Sequence, residues 1–440
     1  MSSRVLITGV GAASAYGVGR DALWSGLCSG ATGLRRAKRF DPVGFSTRLL
    51  GEIEGLSAKD AVPKGYRKAV KVMARDTEMA VVAAQEAVQD AGLVTRYHEG
   101  GTPSYPSGRV GCHIGAGLIA AETDELTSAL ATSTDESGRF DLGRWGAGGI
   151  ENLQPLWMLK YLPNMLACHV TIVHGCEGPS NTITCAEASG LLSLGESLRV
   201  IQRGAADACI SGSAESKLNF MGLLRMANAG RLADTGDRED ALAFVKPYDP
   251  KSAGQLAGEG GGILILERSE TAASRNAQPY ASVLGFGAAM SPAAVDTLML
   301  APGAELDPSG VVWSVQSALA DAGIMAEDID AIVPHAAGQT SMDACEAEGL
   351  RRVFGDRLSS IPLVTLTPAI GECMAGRAGL QAAVAAVCLR EQRLPARLHA
   401  GAPEGVLAGS APSQAARLRR VLVCCSSLGG CHAALVLGAA

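Results

Sequence analysis

The chain has 440 residues, of which 47% are apolar and 19% charged, and its formal net charge at pH 7 is −6. This charge argues against a nucleic-acid surface, and the absence of any uninterrupted apolar stretch of roughly 18 residues argues against a membrane span. Because Met1 leads almost directly into a strand, we also expect no signal peptide. We therefore expect a cytoplasmic protein with a large buried core.

The chain contains twelve cysteines and no Cys-x-x-Cys pair. Cysteines that bind metals usually occur in closely spaced pairs, and disulfides are rare in the cytoplasm. The sequence therefore predicts reduced, mostly buried thiols and no metal site.

Predicted strands and helices alternate along the first half. Strands are predicted over residues 4–11, 109–115 and 181–185, and helices over 21–28 and 68–91. The polar, glycine-rich stretch 132–149 is typical of a surface excursion. Gly9 and Gly11 do not complete a dinucleotide-binding motif, because the third glycine is missing.

An internal echo indicates two similar halves. The stretch from Ala87 to Leu93 ends a predicted helix with Asp-Ala-Gly before a strand, and the stretch from Ala318 to Ile324 does the same. Asp-Ala-Gly is also an ordinary helix ending, so the echo alone does not decide the matter. The alternation of strands and helices predicts an α/β protein whose parallel sheets are covered on both faces.

The most informative stretch runs from His174 to Gly190. Gly178-Pro179-Ser180 predicts a turn, and it is followed by a short buried strand and by leucines at helical spacing from Leu191. A side chain at the junction near Glu187 faces the unpaired N–H groups of a helix N-terminus. Such a position favours a thiolate, an oxyanion or a carboxylate.

These motifs carry a family resemblance. From Asn164-Met165 through Gly178-Pro179-Ser180 to the run Ser211-Gly212-Ser213-Ala214-Glu215, the chain resembles the elongating β-ketoacyl-ACP synthases. A further match begins at Pro247-Tyr248-Asp249 and ends in the glycines at 258–262. The resemblance implies a thiolase fold, in which two βαβαβαββ halves form a five-layer αβαβα sandwich. We expect these halves over residues 1–267 and 268–440.

The resemblance also implies a catalytic cysteine at the elbow and two catalytic histidines. Counting without gaps from the Gly-Pro-Ser turn, or back from Ser189-Gly190, puts the nucleophile position on Glu187 and not on Cys185. The first histidine position falls on His335, and the second falls on Glu372. With no thiol at the elbow, the chain is similar to the chain-length factors, the non-condensing β subunits of ketosynthase pairs.

Other family positions are altered as well. Thr367 stands where the family usually has a lysine, and the run from Cys424 to His432 replaces an Asn-Ser-Phe-Gly-Phe-Gly-Gly-Thr-Asn-like motif. The resemblance implies a substrate-binding wall at Leu428, Gly429 and His432, with Leu428 at an aromatic gate position. It implies no metal and no bound cofactor, because the acyl group arrives on the phosphopantetheine of an acyl carrier protein.

Two carboxylates conflict with the family's chemistry. Decarboxylative condensation needs a thiolate and two neutral imidazoles that polarise the malonyl thioester carbonyl. Ionised Glu187 and Glu372 would place negative charge where the reaction builds more. We favour a structural role for both. The alternatives are an acid or base role with one carboxyl protonated by burial, and a register error that makes Cys185 the nucleophile.

Three functions remain open. The first is a chain-length-factor-like subunit that pairs with a Cys-His-His ketosynthase α subunit, through the strand 181–185, and shapes its acyl tunnel. The second is an independent enzyme, a malonyl-ACP decarboxylase or an acyltransferase that uses Glu187, His335 and Glu372. The third is a catalytically silent homodimer that binds acyl-ACP.

Two further groups of residues have a plain structural interpretation. The basic runs Arg351-Arg352 and 417–420 could meet an acidic acyl carrier protein, but short basic runs are usually solvated faces. Five histidines outside the implied site are expected to be surface or structural groups: His98, His113, His169, His174 and His399.

Overall fold

The computed structural model describes residues 4–292 and 305–440. In these residues the main sheet has ten strands: β1 (Val5–Ser14), β2 (Gly17–Val18), β5 (Val110–Gly115), β6 (Ser180–Ile183), β7 (Ala208–Ser216), β8 (Glu259–Arg268), β9 (Ala281–Met290), β10 (Ala331–Val333), β13 (Arg420–Ser426) and β14 (Cys431–Gly438). Nine of them lie side by side in the order β10-β13-β14-β9-β1-β8-β7-β5-β6. Two short pairs complete the strands: β3 (Arg35–Arg36) with β4 (Leu49–Leu50), and β11 (Arg393–Leu394) with β12 (Gln414–Ala415).

Helices pack on the outer faces of the two halves of the sheet and also form a layer between them. The α-helices span Arg20–Ser29, Arg75–Asp90, Thr123–Ala131, Leu142–Ala147, Trp157–Lys160, Met165–His174, Ser189–Gln202, Phe220–Asn228, Ser269–Ser274, Ser309–Ala322, Thr340–Phe354, Thr367–Ile370 and Gly376–Glu391. Two of them, Ser189–Gln202 and Gly376–Glu391, pack against strands of both halves and form the central layer. Helices Arg75–Asp90 and Ser309–Ala322 pack on the outer faces. The result is the predicted five-layer thiolase fold.

The two halves repeat the same strand order. The first half reads β1-β8-β7-β5-β6, and the second reads β9-β14-β13-β10. A parallel bridge between Ile332 and Leu363 lies where the second half would have its fifth strand. Strands β1 and β9 meet antiparallel, with Val5 opposite Val283.

Close helix packing on the sheet is also repeated. A Cβ added to Gly9 would lie 2.3 Å from the carbonyl oxygen of Ala87, and a Cβ added to Gly285 would lie 2.4 Å from that of Ala318. Both carbonyls belong to the outer helix of their half, so only glycine lets each helix lie this close to its strand. The internal echo in the sequence therefore marks a real structural repeat.

One predicted helix is wrong in its extent. The stretch predicted as a single helix over 68–91 consists of a 3-10 segment, Lys64–Val72, and the α-helix Arg75–Asp90. Met73 and Ala74 between them are extended, with ψ of 131° and 164°. Both residues are buried. The apolar pattern therefore continues through the break, which is why periodicity alone did not reveal it.

The expectations about the cysteines and about membrane spans can be compared with the structure directly. Eight of the twelve cysteines are buried, as predicted, and the structure contains all twelve as free thiols. Within residues 4–292 and 305–440, no helix has the length and apolar character needed to cross a membrane.

Candidate active site

The chain turns sharply between β6 and the central helix that follows. A 3-10 turn, Ala186–Ala188, separates the strand from helix Ser189–Gln202. Ala186 has φ of 47°, a value that residues with a side chain rarely adopt. Ser189 Oγ accepts the backbone N–H of Cys185 at 2.8 Å and so holds the turn. Glu187 therefore lies at the junction of strand and helix.

Glu187 forms a buried ion pair with a residue that is distant in sequence. Its side chain is fully buried, and its Oε1 accepts from Arg231 Nη2 at 2.5 Å. Arg231 is itself only 5% exposed, and its Nε donates to Gln255 Oε1 at 2.8 Å. Among the described residues, the second oxygen of Glu187 has no hydrogen-bond partner. The position that the family fills with a nucleophile thus holds one half of a salt bridge.

Glu372 is paired in a similar way at the start of the other central helix. Arg377 Nε donates to both of its carboxylate oxygens, at 3.2 and 3.1 Å, and the backbone N–H of Met374 donates to Oε1 at 2.8 Å. Burial opposes ionisation of this carboxyl, but Arg377, and then His335, hold the pKa of Glu372 well below its usual range. Glu372 is therefore a carboxylate at neutral pH.

His335 directs its N–H group at that carboxylate. The backbone N–H of Ser426 donates to His335 Nδ1 at 3.2 Å, so the neutral ring carries its proton on Nε2. Nε2 lies 3.4 Å from Glu372 Oε2. The backbone N–H of His335 donates to Glu346 Oε1 at 2.7 Å, which fixes the loop after β10. In a condensing enzyme this N–H group would point toward a thioester oxygen. Here it points toward the carboxylate of Glu372.

These contacts join into one network. Gln255 Nε2 lies 3.4 Å from Glu372 Oε2 and links the two ion pairs. Two guanidinium groups balance two carboxylates, and every member is at most 5% exposed. The structure thus brings the three predicted catalytic positions together, in a cluster made of Glu187, Arg231, Gln255, His335, Glu372 and Arg377.

The position of the family's lysine is also changed. Thr367 is buried, and its Oγ1 accepts from Arg377 Nη2 at 2.6 Å. Arg377 Nη1 donates to the backbone oxygen of His335 at 2.9 Å. A cation is therefore present at this place, but it is Arg377 of helix Gly376–Glu391, which is paired with Glu372.

The predicted substrate-binding wall lies beside this network. Leu428 is half-buried and Gly429 is exposed. Leu428 and His432 line a cavity of about 20 Å³. A volume of this size holds about one water molecule. Among the described residues, Leu428 and His432 therefore border only a small space at this place.

His432 is held by hydrogen bonds on both ring nitrogens. Nε2 lies 2.9 Å from Ser291 Oγ, and Nδ1 lies 2.8 Å from Ser426 Oγ. Burial, and then nearby His335, lower the pKa of His432 to about 4. It is therefore neutral at physiological pH and orients Ser426, the residue that fixes the tautomer of His335.

The sequence did not identify Arg231 or Arg377. For Arg377 a signal existed, because it is the only charged residue between Met374 and Leu389. A single charge in an apolar helix that is buried on all sides needs a partner. For Arg231, which pairs with a residue 44 positions earlier, the surrounding sequence gives no such signal.

A thiol does lie near the elbow, but it is not activated. Cys425 Sγ lies 3.1 Å from the backbone oxygen of Glu187. Burial raises the pKa of Cys425 well above its usual range, and Arg377 only partly opposes this, so the group is protonated at neutral pH. In residues 4–292 and 305–440, no group of three His, Cys, Asp or Glu side chains is placed to hold a metal ion.

Comparison with known proteins gives matches over most of the chain. The family described as the N-terminal domain of beta-ketoacyl synthase matches residues 2–272, and the family described as its C-terminal domain matches residues 287–401. The 3-oxoacyl-[acyl-carrier-protein] synthase 2 of Staphylococcus aureus strain COL is 28% identical over 403 residues, which are 92% of this chain and 89% of that protein. The protein of the same name from Vibrio cholerae is 28% identical over 402 residues, 91% of this chain and 89% of that protein.

Solved structures agree over the full length. The ishigamide ketosynthase/chain length factor superposes with a TM-score of 0.82 at 25% identity and covers 100% of both chains. A beta-ketoacyl synthase from Burkholderia phymatum superposes with a TM-score of 0.81 at 23% identity, again with 100% of both chains covered. The second likeness establishes the fold alone.

Proposed function

The chain belongs to the beta-ketoacyl synthase family, and within it we propose the role of a chain-length-factor-like subunit. In this role the protein does not condense acyl groups itself. It pairs with a ketosynthase subunit that carries an intact Cys-His-His site, and it shapes the far end of that subunit's acyl tunnel. The acyl chains arrive on an acyl carrier protein.

The observation that carries the proposal is the ion pair at the elbow. A condensing enzyme needs a thiolate at this position to accept the acyl chain. Glu187 offers a carboxylate, a much weaker nucleophile, and its Oε1 is bound to Arg231 at 2.5 Å. The charge is used to neutralise a buried guanidinium. Such a pair serves the fold, and it leaves condensation to another subunit.

The histidine side of the site supports the same role. Stabilising an enolate needs neutral donors aimed at the oxygen where negative charge develops. Here His335 Nε2–H is aimed at Glu372, which is already negative. A thioester oxygen placed between them would meet repulsion from the carboxylate as charge builds on it. The arrangement therefore opposes the decarboxylative step.

A partner surface is available beside the elbow. Strand β6 ends the sheet, and among the described residues it pairs only with β5. An unpaired strand edge is a common site for association with another chain. Exposed apolar side chains are frequent on the connection from β5 to β6 and in the helix before β6, as at Leu118, Phe140, Leu142, Leu156, Met158 and Ile172.

The basic runs do not strengthen the proposal for an acyl carrier protein. Arg351 and Arg352 both bind Glu348, each at 2.8 Å. In the second run, Arg420 Nη1 lies 3.2 Å from Asp328. Their charges are largely balanced locally, so the carrier protein as partner rests on family membership.

The alternative, an independent decarboxylase or acyltransferase, is favoured by one observation. His335 and Glu372 form a close dyad of the kind that serves as an acid or base in many enzymes. Against it, His335 is only 2% exposed and Glu372 is fully buried. Substrate could reach the dyad only after a rearrangement of the network.

Reconstitution separates the two functions. We would co-express the chain with a ketosynthase that carries Cys-His-His and measure co-purification and ketide formation with malonyl-ACP. If the chain is a chain-length-factor-like subunit, His335→Ala leaves the complex assembled and condensation running, with at most a change in product length. His399→Gln, which truncates a histidine outside the site, is the matched control. Loss of turnover in an assembled His335→Ala complex would show that this chain carries chemistry of its own.

A further inference from the structure

Two cysteines lie side by side at the elbow, outside the network around Glu187. Four of the twelve cysteines are partly exposed, and Cys185 and Cys431 are two of these four. They come from opposite halves of the chain, but their side chains are within hydrogen-bonding range of each other. The fold therefore forms a pair of thiols that no short cysteine motif in the sequence indicates.

The end of strand β6 places the first cysteine. Cys185 lies just beyond this strand and directly before the 3-10 turn Ala186–Ala188. Its φ of −131° and ψ of 44° belong neither to a strand nor to a helix. Its backbone N–H donates to Ser189 Oγ at 2.8 Å, and this bond holds it against the start of the central helix. The backbone of Cys185 is therefore fixed, while the residue stays partly exposed.

The alternation of strand β14 places the second cysteine. Cys431 begins this strand, and every second residue of a strand lies on the same face. Ala433 and Leu435, on the face of Cys431, belong to the core cluster that also contains Ala188 of the elbow turn, and Cys431 packs against this cluster. The turn itself packs on β14. The side chain of Cys431 is therefore on the elbow side of the strand, and that of His432 is on the other.

The two thiols differ in their chemistry. Burial, and then the charge of Cys185, raise the pKa of Cys431 to about 12. Cys431 is therefore a protonated thiol at neutral pH, and it can donate its hydrogen to the sulfur of Cys185. Because the thiolate is the reactive form of cysteine, Cys185 is the member of the pair that attacks an electrophile first. Cys431 is then placed to resolve the product, an arrangement found at cysteines that undergo reversible oxidation.

We propose that Cys185 and Cys431 form a reversible oxidation site, which reacts with a small hydroperoxide and closes to a disulfide. Hydrogen peroxide is the simplest such oxidant. It is small enough to react at a partly exposed cysteine without an acyl-binding tunnel, so the reaction does not require Cys185 to be a condensing nucleophile. The site uses no residue of the cluster around Glu187. It goes beyond the role proposed above and does not depend on it.

The oxidation takes place in two steps. In the first, the sulfur of Cys185 attacks one oxygen of the peroxide, the O–O bond breaks, and the other oxygen leaves as hydroxide and takes up the thiol proton to become water. Cys185 is then a sulfenic acid. In the second, the sulfur of Cys431 attacks the sulfur of Cys185, the S–O bond breaks, and the oxygen leaves as water with the proton of Cys431. The two thiols together lose two electrons, and the peroxide gains them.

Peptide mass mapping of the full chain after treatment with hydrogen peroxide tests the site. In the wild type we expect a cross-linked peptide that joins Cys185 to Cys431 and that dithiothreitol separates. In Cys431→Ser the reaction stops at the sulfenic acid, so dimedone labels Cys185 several-fold more strongly than in the wild type. Cys185→Ser gives neither product. Cys168→Ser, which replaces another partly exposed cysteine, is the matched control and forms the same cross-link as the wild type.

The cross-link is mapped on the wild type, so the test holds even where a variant does not fold. Three results would overturn the proposal. The first is a wild type in which peroxide leaves both cysteines as free thiols. The second is a disulfide that joins Cys185 to a different cysteine, such as Cys425 in strand β13. The third is dimedone labelling of Cys185 that is equal in the wild type and in Cys431→Ser, because Cys431 then does not resolve the sulfenic acid.

Discussion

The buried pair of Glu187 and Arg231 gives the sharpest prediction about stability. Replacing Glu187 with alanine removes the partner of a guanidinium that remains 5% exposed. At an N–O distance of 2.5 Å and an effective dielectric constant of about 20, the attraction between the charges is roughly 6–7 kcal/mol. Desolvation of each ion offsets several kcal/mol of this in the intact protein, so the pair itself contributes little net stability.

Removing only one partner lowers stability, because the desolvation cost of burying Arg231 remains when the attraction to Glu187 is lost. Loss of one partner of a buried ion pair typically costs about 3–5 kcal/mol. With an unfolding entropy of about 2.1 cal/mol/K per residue, the melting temperature of a chain of this length falls by about 1 °C for each kcal/mol. We therefore expect Glu187→Ala to lower it by about 3–5 °C.

The double variant Glu187→Ala/Arg231→Met isolates the interaction. Methionine fills much of the volume of arginine without a charge, so we expect stability to return to within about 1 kcal/mol of the wild type. Urea unfolding of the wild type, both single variants and the double variant completes the cycle. Glu348→Ala, which removes an exposed partner of two arginines, is the control and should leave the midpoint unchanged.

Two results would refute this reasoning. If Glu187→Ala is as stable as the wild type, Arg231 has found water or another partner, and the pair does not anchor the elbow. If the two single variants are simply additive in the double variant, the residues do not interact in solution. A clear coupling energy of about 3 kcal/mol is the expected outcome.

Three further outcomes are expected. A cerulenin-like epoxide should form no adduct at Glu187, and an adduct on Cys185 in peptide mass mapping would show that the register at the elbow is wrong. Glu187→Cys alone should give no condensation in an assay with malonyl-ACP and acyl-ACP. The double variant Glu187→Cys/Glu372→His supplies a thiol and a second imidazole and should give at most low activity. Turnover in the single variant would contradict the importance of Glu372. Burial raises the pKa of Asp76 to about 7, although Lys217 partly opposes this shift. The folded state therefore holds the proton of Asp76 more tightly than the unfolded chain does. As a result, the contribution of this group to the free energy of unfolding is lost as pH rises from about 4 to about 7. Asp76→Asn should remove that decline in urea unfolding, and an unchanged pH profile would show that Asp76 is ionised throughout.

The fold was largely predictable from the sequence. The Gly-Pro-Ser turn and the leucine spacing after Ser189 located the strand, the elbow and the central helix. The echo between Ala87 and Ala318 marked the repeat, because each half needs a small residue where its outer helix meets the sheet. Local pattern failed where tertiary packing overrides it: Met73 and Ala74 are extended and yet buried, so the apolar period hides the break.

The site was predictable only in its positions. Motif spacing placed Glu187, His335 and Glu372 in one site, and the structure brings them together. What spacing could not supply was the partners. A buried carboxylate can be unpaired or part of an ion pair. Which of these applies depends on side chains that are distant in sequence, such as Arg231 for Glu187. For this reason the structural role favoured from the sequence had no mechanism until the fold was known.

The repeated ion pairs also bear on how such a protein can change over time. A cysteine at the elbow and a histidine at the second position would each replace the carboxylate of a buried ion pair. Glu187→Cys leaves the buried Arg231 without its carboxylate partner, and Glu372→His does the same to Arg377. Each first step is destabilising before any gain in activity can appear. The pairing of charges therefore ties each of these two positions to its arginine, so a change at either position loses stability unless the arginine changes with it or stability is gained elsewhere.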